Sequence, residues 1–260
     1  MRRSTYYYHC SAASAQDKHA QLKEQITLIF TQHKQRYGYR RVHAQLRQLG
    51  HAVNHKLVLR LMRQLGLHSP VRCKKYNSYK GPLDAASPNV LERQFQASQP
   101  NTKWVTDVTE FKVNGEKLYL SPVLDLYNGE IIAYDMRSRP QYKLVQNMLS
   151  KAVKRLGAKD KPLMHSDQGW HYKMSAYRRK LRKHGIVQSM SRKGNCLDNA
   201  AMESFFATLK CEYFHLNEFT SIAQLRKGID EYIHYYNHER IKIQLNGLSP
   251  VQYRVQAQAS

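Results

Sequence analysis

Three acids stand out in this chain because acidic residues are scarce in it: Asp107, Asp167 and Glu203. The sequence has 42 Lys and Arg against 19 Asp and Glu, and each of the three lies within or beside an apolar segment. Carboxylate oxygens are ligands that Mg²⁺ prefers, and two such ions can activate a nucleophile and stabilise a leaving oxygen. The three acids therefore predict a site that holds divalent metal on a polyanionic substrate.

The chain as a whole is strongly basic, with a formal net charge of +23 at pH 7 and a pI of about 9.9. Such a charge favours a polyanionic partner, because binding to phosphates releases condensed counterions. A membrane surface is the rival partner, but we find no apolar run near the roughly 18 residues that a spanning helix needs. Residues 1–80 carry 16 Lys or Arg against two acids, which indicates a separate DNA-contacting region at the front.

The four cysteines, Cys10, Cys73, Cys196 and Cys211, are widely spaced and include no Cys-x-x-Cys pair. This spacing argues against a zinc site of that kind and favours reduced thiols in the cytosol. No apolar segment follows the first residues, so no signal peptide is expected. We therefore expect a cytoplasmic, nucleoid-associated protein.

The front region holds three segments with apolar residues at helical spacing, over about 17–36, 40–49 and 55–66. Asn54 is the expected N-cap of the third segment. Two short helices joined by a tight turn with Gly50, the second of them basic, are typical of a helix-turn-helix. A three-helix bundle with a solvated basic face is the alternative. The second helix should bury Val42, Leu46 and Leu49, and the third should bury Val58, Leu61, Met62 and Leu65 while exposing His55, Lys56, Arg60 and Arg63.

A basic, proline-containing linker is predicted over residues 68–100. Strands are predicted at about 104–113, 117–127 and 131–137, with hairpin-type Asn-Gly pairs at 114–115 and 128–129 between them. Further helices are expected at about 141–157, 173–184, 199–214 and 221–238, with strands at 162–165 and 186–190 and an end to the last segment at Ser249-Pro250. Three antiparallel strands followed by alternating elements predict a mixed α/β sheet.

These elements give the three acids related positions. Asp107 lies within the first strand, where an unpartnered charge would be costly, and Asp167 directly follows a short strand, at the end where α/β sheets place ligands. Glu203 and Lys210 share one edge of a helix that Asp198 or Asn199 should cap, beside a buried stripe of Met202, Phe205, Phe206, Leu209 and Tyr213. Glu203 can therefore lean toward the other two acids, and Lys210 can reach a phosphate nearby.

Short motifs surround these residues along nearly the whole chain. They are Tyr37-Gly38-Tyr39-Arg40-Arg41, Trp104-Val105-Thr106-Asp107-Val108-Thr109, His165-Ser166-Asp167-Gln168-Gly169, Glu203 after 35 intervening residues, Lys210, Tyr236-Asn237, Arg240 and Ser249-Pro250. In this order they resemble the DDE transposases of bacterial insertion sequences, most closely OrfB of the insertion-sequence-3 family, which are relatives of retroviral integrases. Each motif alone is weak or moderate, and the combination is specific.

The resemblance implies an α/β fold: an RNase H-like integrase catalytic core with a mixed five-stranded sheet and flanking helices, over residues 101–216. An all-α helix-turn-helix-like region over 1–67 would precede it, and a C-terminal helical extension over 217–260 would follow. Asp107, Asp167 and Glu203 would be the catalytic acids and would bind Mg²⁺ or Mn²⁺, as two ions. The implied reaction is 3′-end cleavage and strand transfer of the element's terminal repeats into target DNA.

The resemblance also implies which molecules this protein binds. Synapsis of two ends implies a homo-oligomer on DNA. Active members of the family are commonly fusions with an upstream-frame (OrfA) segment, so a non-catalytic DNA-binding regulator that needs such a partner is the second hypothesis. An RNase H-like nuclease for RNA–DNA hybrids or junctions is the third. DNA contacts are predicted at Lys210, Lys56, Arg60, Arg63, Arg40, Arg41, Arg192 and Lys193. The alternatives are a solvated helix lysine at Lys210 and a solvated loop at Arg192 and Lys193.

The sequence leaves alternatives open for several residues near the acids. Asp125 is either a fourth site acid or, as we favour, a polar neighbour at a strand end. His165 and His171 are either metal ligands or, as the surrounding hard acids favour, supporting or DNA-contacting residues. Trp170 and Tyr172 either stack on a displaced base or, as we favour, pack in the core.

Overall fold

The structure, a computed structural model, describes residues 17–71, 89–92, 94–192 and 199–259. The chain divides into two compact units, residues 1–70 and 71–260. No helix in the described ranges is both long and apolar enough to cross a membrane. The predictions for Cys10, Cys73, Cys196, Lys193 and Asp198 concern residues outside these ranges.

The described part of the first unit, residues 17–70, holds three helices: α1 (Ala20–Gln32), α2 (Tyr39–Gln48) and α3 (His55–Gln64). Asn54 caps α3 as predicted, because its side-chain oxygen accepts a hydrogen bond of 2.8 Å from the Lys56 amide. The predicted inner residues Val58, Leu61 and Met62 are buried, and the predicted basic face of α3 is exposed.

Two predicted core positions of the first unit are wrong. Leu49 is 56% exposed, because α2 ends at Gln48 and the chain turns through Gly50, whose φ is positive. Leu65 is exposed for the same reason, since α3 ends at Gln64 and Gly66 turns the chain. In both cases the helical spacing of apolar residues in the sequence continues one residue beyond the end of the helix.

Six strands form one sheet in the second unit: β1 (Lys103–Thr106), β2 (Thr109–Val113), β3 (Glu116–Asp125), β4 (Ile131–Arg137), β5 (Leu163–Ser166) and β6 (Val187–Met190). β3 pairs antiparallel with β4 on one side and with both β1 and β2 on the other. β5 pairs in parallel with β1, and β6 in parallel with β5. The sheet is therefore mixed, as predicted.

β1 and β2 are two halves of the single strand that the sequence predicted. Both pair with β3 in one continuous register, so the six strands occupy five positions. The interruption falls at Asp107, which this register places opposite Pro122. Proline has no amide hydrogen to donate across the ladder, and the Pro122 carbonyl instead accepts a hydrogen bond of 2.8 Å from the Thr106 hydroxyl.

The two predicted hairpin turns differ. Asn114 and Gly115 both have positive φ, 48° and 84°, as a two-residue turn between β2 and β3 requires. The turn between β3 and β4 is longer than the predicted two residues, because the Asp125 amide bonds to the Glu130 carbonyl at 2.9 Å and closes a wider loop. Gly129, with a φ of 69°, supplies the left-handed position in that loop.

Helices cover both faces of the sheet. α4 (Tyr142–Ala152), α5 (Trp170–Lys173) and α6 (Ser175–Lys183) pack on one face, and α7 (Ala200–Glu212) and α8 (Ile222–His238) pack on the other. Trp104 and Val105, neighbours in β1, point into the two separate cores, as the alternation of a strand requires. The sheet, with Asp107 at its interruption, therefore lies between two apolar cores.

The C-terminal prediction needs a correction. Ser249-Pro250 does not end the last segment but begins a further helix, α9 (Pro250–Ala259). Pro250 takes the first helical position, where its missing amide hydrogen is not needed. Ser249 and Gln252 form a capping box, with the Gln252 amide donating to the Ser249 hydroxyl at 3.3 Å and the Ser249 amide donating to Gln252 Oε1 at 2.9 Å.

Candidate active site

Asp107 lies at the interruption between β1 and β2, near the middle of the sheet. Its side chain is half-buried, and its Oδ1 accepts a hydrogen bond of 2.7 Å from the Val108 amide. The sequence placed this acid inside a regular strand, whereas the structure places it at the break opposite Pro122. The break leaves Asp107 outside the paired residues of both β1 and β2.

Asp167 directly follows β5, the strand that pairs in parallel with β1. Its Oδ1 accepts a hydrogen bond of 2.9 Å from the Gly169 amide, and Gln168 donates one of 3.1 Å to the Ser191 carbonyl after β6. A Cβ at residue 169 would lie only 2.9 Å from Asp167 Oδ1, so glycine leaves the room that this turn needs. These contacts hold Asp167 at the carboxyl ends of the parallel strands.

Glu203 lies in the first turn of α7 and is half-buried, beside the apolar stripe that packs on the sheet. The side chain of Asn199, at the N-cap position, does not cap α7 as predicted. Its Nδ2 donates a hydrogen bond of 3.3 Å to the carbonyl of Thr106, the residue before Asp107. This bond fixes the start of α7 at the end of β1 and brings Glu203 to the two aspartates.

The three acids are close enough to affect one another's protonation. The pKa of Asp107 is raised to about 7, first by burial and then by the negative charge of Asp167, with a smaller contribution from Glu203. The pKa of Asp167 is also raised, chiefly by burial, against the opposing effects of the Gly169 amide, His171 and Lys173. The cluster therefore resists carrying its full negative charge without a cation.

The donor set fits a hard divalent cation. Carboxylate oxygens suit Mg²⁺ and Mn²⁺, and the raised pKa of Asp107 marks a repulsion that a cation would relieve. In the part of the chain that the structure describes, no group of three or more His, Cys, Asp or Glu side chains could hold a metal ion as placed. Mg²⁺ keeps several waters and takes phosphate oxygens from its substrates, so an open cluster of acids suits it.

The two histidines of the motif around Asp167 have other partners. His165 is buried, with Nδ1 2.8 Å from the Ser189 hydroxyl and Nε2 3.2 Å from the Ser191 hydroxyl, so both ring nitrogens are used within the core. His171 Nε2 lies 3.0 Å from the Pro140 carbonyl, which ties α5 to the loop between β4 and α4. Both histidines support the site's surroundings.

The two aromatic residues after Asp167 differ in burial. Tyr172 is buried, as predicted, and the charges of Asp167 and Asp107 add to the burial that raises its pKa well above its usual value. The core-packing prediction is wrong for Trp170, which is 54% exposed and stacks on His171 with ring centroids 3.9 Å apart. α5 is a single turn that buries His171 and Tyr172 and leaves its first residue outside.

Asp125 has a structural role, in line with the alternative that the sequence favoured. It is buried at the end of β3, where it accepts hydrogen bonds from the amides of Asn101, at 2.9 Å, and Tyr127, at 3.0 Å. Arg254 of α9 pairs with Asp125 at 2.6 Å and with Glu130 at 2.8 Å. This buried ion-pair network joins α9 to the turn between β3 and β4.

The residues predicted to contact DNA have varied surroundings. Lys56, Arg60 and Arg63 are exposed on α3, and Arg192 is exposed after β6. Arg40 donates a hydrogen bond of 3.2 Å to the Tyr39 hydroxyl, and the Arg41 guanidinium lies 5.5 Å from the centre of the Tyr37 ring.

Lys210 lies two helical turns, roughly 10 Å, beyond Glu203 along α7. Its Nζ is 5.5 Å from the centre of the Phe111 ring. Burial lowers its pKa, and the charge of Glu110 opposes that shift. Lys210 therefore sits against β2, and its contact with a phosphate stays a prediction.

Sequence reasoning missed the residues that anchor α7. Arg240 donates two hydrogen bonds, of 2.7 and 2.6 Å, to the carboxylate of Glu212, the last residue of α7, and the Tyr232 hydroxyl donates a third at 3.0 Å. Asn237 exchanges two hydrogen bonds of 2.9 Å with the backbone of Ile131 in β4. The family motifs included Arg240 and Asn237 without a role, and the structure shows that they attach α8 to α7 and to the sheet.

The architecture, a mixed sheet between helices with acids on two neighbouring strands and a covering helix, is matched by known proteins. Family models described as integrase core domain match residues 97–196 and 203–257, and one described as HTH-like domain matches residues 17–75. The HTLV-2 integrase catalytic core domain in complex with magnesium aligns with a TM-score of 0.50 and 17% identity, over 61% of this chain and 99% of that one. The predicted fold class is confirmed, and the matches define a polynucleotidyl transferase of the DDE class.

Two relatives from Escherichia coli (strain K12) show which kind of polynucleotidyl transferase this chain resembles. Transposase InsK for insertion sequence element IS150 is 53% identical over 254 residues, covering 98% of this chain and 90% of that protein. Transposase InsF for insertion sequence IS3A is 34% identical over 258 residues, covering 96% and 89%. The chain belongs to the family of insertion-sequence transposases with an integrase core, and its HTH-like and integrase core domains make it a DNA-binding protein.

Proposed function

We propose that Asp107, Asp167 and Glu203 are the catalytic and metal-binding acids with which this transposase cuts and joins DNA at the ends of an insertion sequence. The observation that carries the proposal is the placement of the acids: Asp107 follows β1, Asp167 follows the neighbouring parallel strand β5, and Glu203 lies on α7, whose start is bonded to Thr106. The raised pKa of Asp107 agrees with this, since the charges of the other two acids add to the effect of burial. Acids that repel one another in this way are suited to share cations. The chemistry that follows is that of phosphoryl transfer.

When bound, two Mg²⁺ or Mn²⁺ ions would activate the attacking oxygen and stabilise the leaving oxygen. Asp107 and Asp167 hold the metal-binding side of the site, because β1 and β5 are neighbouring parallel strands in a rigid sheet. Glu203 approaches from α7, whose two ends are fixed by Asn199 and by Glu212. With their negative charge balanced by the cations, the carboxylates would position the scissile phosphate.

Two reactions would use this site in turn. In the first, water attacks a phosphodiester at the end of the element, the bond to the 3′ oxygen breaks, and a 3′-hydroxyl is left. In the second, that hydroxyl attacks a phosphodiester of target DNA, so one phosphorus–oxygen bond forms as another breaks. No external energy source is needed, because the number of phosphodiester bonds is unchanged in the joining step.

For the remaining regions we propose that residues 1–67 bind the terminal repeats through Lys56, Arg60 and Arg63 on the exposed face of α3, with Arg40 and Arg41 nearby. Residues 68–100 would link this region to a catalytic core over 101–216 and an extension over 217–260. Holding two element ends together calls for a homo-oligomer, and work on chromosomal DNA places the protein at the nucleoid. An upstream-frame partner gains no support from the matched families and stays a prediction.

The test uses a labelled duplex that carries the terminal repeat of the element, incubated with the full chain and Mg²⁺. Glu203→Gln should abolish nicking and joining while leaving DNA binding intact. A matched control is Glu110→Gln, which removes an exposed acid of β2 that pairs with Lys117 at 3.0 Å, outside the cluster. It should keep its activity.

Three other results of this assay would contradict the proposal, each in a different way. Cutting by Glu203→Gln at the wild-type rate would overturn the assignment of the acids. Binding without cutting by the wild-type chain would favour the non-catalytic regulator. Cutting confined to RNA–DNA hybrids would favour the nuclease.

A further inference from the structure

A polar pocket opens at the loop between β4 and α4. Its volume is about 530 Å³, and its lining consists of Met136, Arg137, Ser138, Arg139, Gln141 and Arg226. Three of these six residues are arginines, and none is an acid. The lining comes from two segments far apart in the sequence, residues 136–141 and Arg226. Guanidinium groups donate several hydrogen bonds in a planar fork, so this lining suits an oxyanion.

Contacts within the protein hold two of the three arginines in place. Arg226 on α8 is half-buried and donates a hydrogen bond of 2.8 Å to the Met136 carbonyl, which fixes it in the pocket wall. Arg137 pairs with Asp135 at 3.2 Å, but Asp135 also pairs with Lys151 at 3.1 Å. One carboxylate thus faces two cations, and with the exposed Arg139 the pocket keeps an excess of positive charge.

The backbone adds to this preference for an anion. α4, a helix of 11 residues, begins immediately after Gln141 of the pocket, and no side chain caps its first turn. The amide groups at a helix N-terminus carry partial positive charge and bind phosphate oxygens in many proteins.

The same loop is tied to the acid cluster. His171, four residues after Asp167, has its Nε2 3.0 Å from the carbonyl of Pro140, which lies between the pocket residues Arg139 and Gln141. The pocket is therefore one contact away from the turn that carries Asp167. A polymer with regularly spaced phosphates could reach both.

We propose that this pocket binds a backbone phosphate of the DNA on which the acid cluster acts. The proposal rests on the proposed function, because it takes the DNA to lie along this end of the sheet. Arg139 and Arg226 hold the phosphate, and Arg137 adds to the positive charge around it. A contact to a phosphate positions the duplex and carries no sequence preference.

The test measures DNA binding in EDTA, where no cutting occurs, by fluorescence anisotropy of the full chain at several salt concentrations. Losing one phosphate contact lowers the slope of log K against log salt concentration by about 0.9 and weakens binding about eightfold at 0.1 M salt. We expect these changes for Arg139→Gln and for Arg226→Gln. Arg182→Gln, an exposed arginine of α6 outside the pocket, is the matched control and should change neither quantity.

The outcomes separate the pocket from simpler explanations. Unchanged slopes in both pocket variants would overturn the proposal, and so would an equal loss in Arg182→Gln, since surface charge alone would then account for it. Thermal melting checks folding, and Arg139→Gln leaves the Arg226 hydrogen bond intact.

A second arm titrates inorganic phosphate at constant ionic strength. Stabilisation of the wild type by phosphate, together with unchanged DNA affinity in Arg139→Gln, would assign the pocket to free phosphate and overturn the DNA contact. Failure of this proposal and failure of the proposed function give different results. The proposed function is tested by metal-dependent cutting with Glu203→Gln, whereas the pocket is tested by DNA binding in EDTA, where Glu203→Gln is expected to bind like the wild type.

Discussion

Neutralising Asp107 should stabilise the metal-free protein at alkaline pH, although it removes a central acid of the proposed site. The pKa of Asp107 is about 7 in the folded protein, against 3.8 for an unperturbed aspartate. The folded state therefore holds this proton more tightly than the unfolded state. The resulting stability is fully present below about pH 4 and is lost as the pH rises through 7. Asparagine is similar in size to the protonated acid, can still accept the Val108 hydrogen bond, and never ionises.

The magnitude follows from the same values. Between pH 5 and pH 7 the wild-type protein loses about 1.36 kcal/mol of stability per pH unit relative to Asp107→Asn, or up to about 3 kcal/mol. For a unit of this size 1 kcal/mol shifts Tm by about 2–4 °C, so the gap in Tm should widen by up to roughly 5–10 °C between pH 5 and pH 8.

The assay is thermal melting in EDTA at both pH values, followed by addition of Mg²⁺. Mg²⁺ at pH 8 should raise the Tm of the wild type and leave Asp107→Asn nearly unchanged, because the variant lacks the repulsion that the cation relieves. Asp135→Asn is the control: Asp135 lies beside Arg137 and Lys151, so its neutralisation removes attractions and should not stabilise. A Tm for Asp107→Asn below that of the wild type at pH 8 in EDTA, or a gap that does not change with pH, would refute the reasoning.

Two further predictions concern residues around the cluster. Arg240→Met should cost about 3–5 kcal/mol in urea unfolding, because it leaves the Glu212 carboxylate buried without its cation, and adding Glu212→Gln should recover part of the loss. Full stability of the single variant would contradict this. Trp170→Ala should barely change the unfolding midpoint, because the ring is 54% exposed, yet should weaken binding to single-stranded DNA roughly 5- to 150-fold if the ring stacks on a base. Trp170→Phe should bind nearly as well as the wild type, and an unchanged Kd in Trp170→Ala would exclude stacking.

Features set by a few neighbouring residues could be predicted from the sequence. Asn114 and Gly115 formed the expected hairpin, since their tolerance of positive φ is intrinsic. The buried stripe of α7, with Met202 and Phe205, showed which edge of the helix Glu203 occupies, since the helical period is fixed. Asp167 lay after a strand because the apolar run before it ends there.

Features that depend on distant residues could not be predicted in this way. The break at Asp107 falls opposite Pro122, whose carbonyl accepts a hydrogen bond from the Thr106 hydroxyl across 16 residues of sequence. The helix that carries Glu203 is held at its far end by Arg240, 28 residues after Glu212. A pattern within one segment does not record such pairings, and a motif can mark Arg240 without saying what it contacts.

The pairing of Glu212 with Arg240 determines how late in translation the structure around Glu203 can be completed. At about 5–20 residues per second, the ribosome needs roughly 1–6 s to add the 28 residues that separate them. Until then Glu212 lacks the cation that allows its burial, so the far end of α7, the helix that carries Glu203, is not yet anchored. A nascent or prematurely terminated chain would already contain the basic helices of the first unit. Under the proposed function, such a chain would bind element ends before its active site is complete, so translation itself would delay cutting.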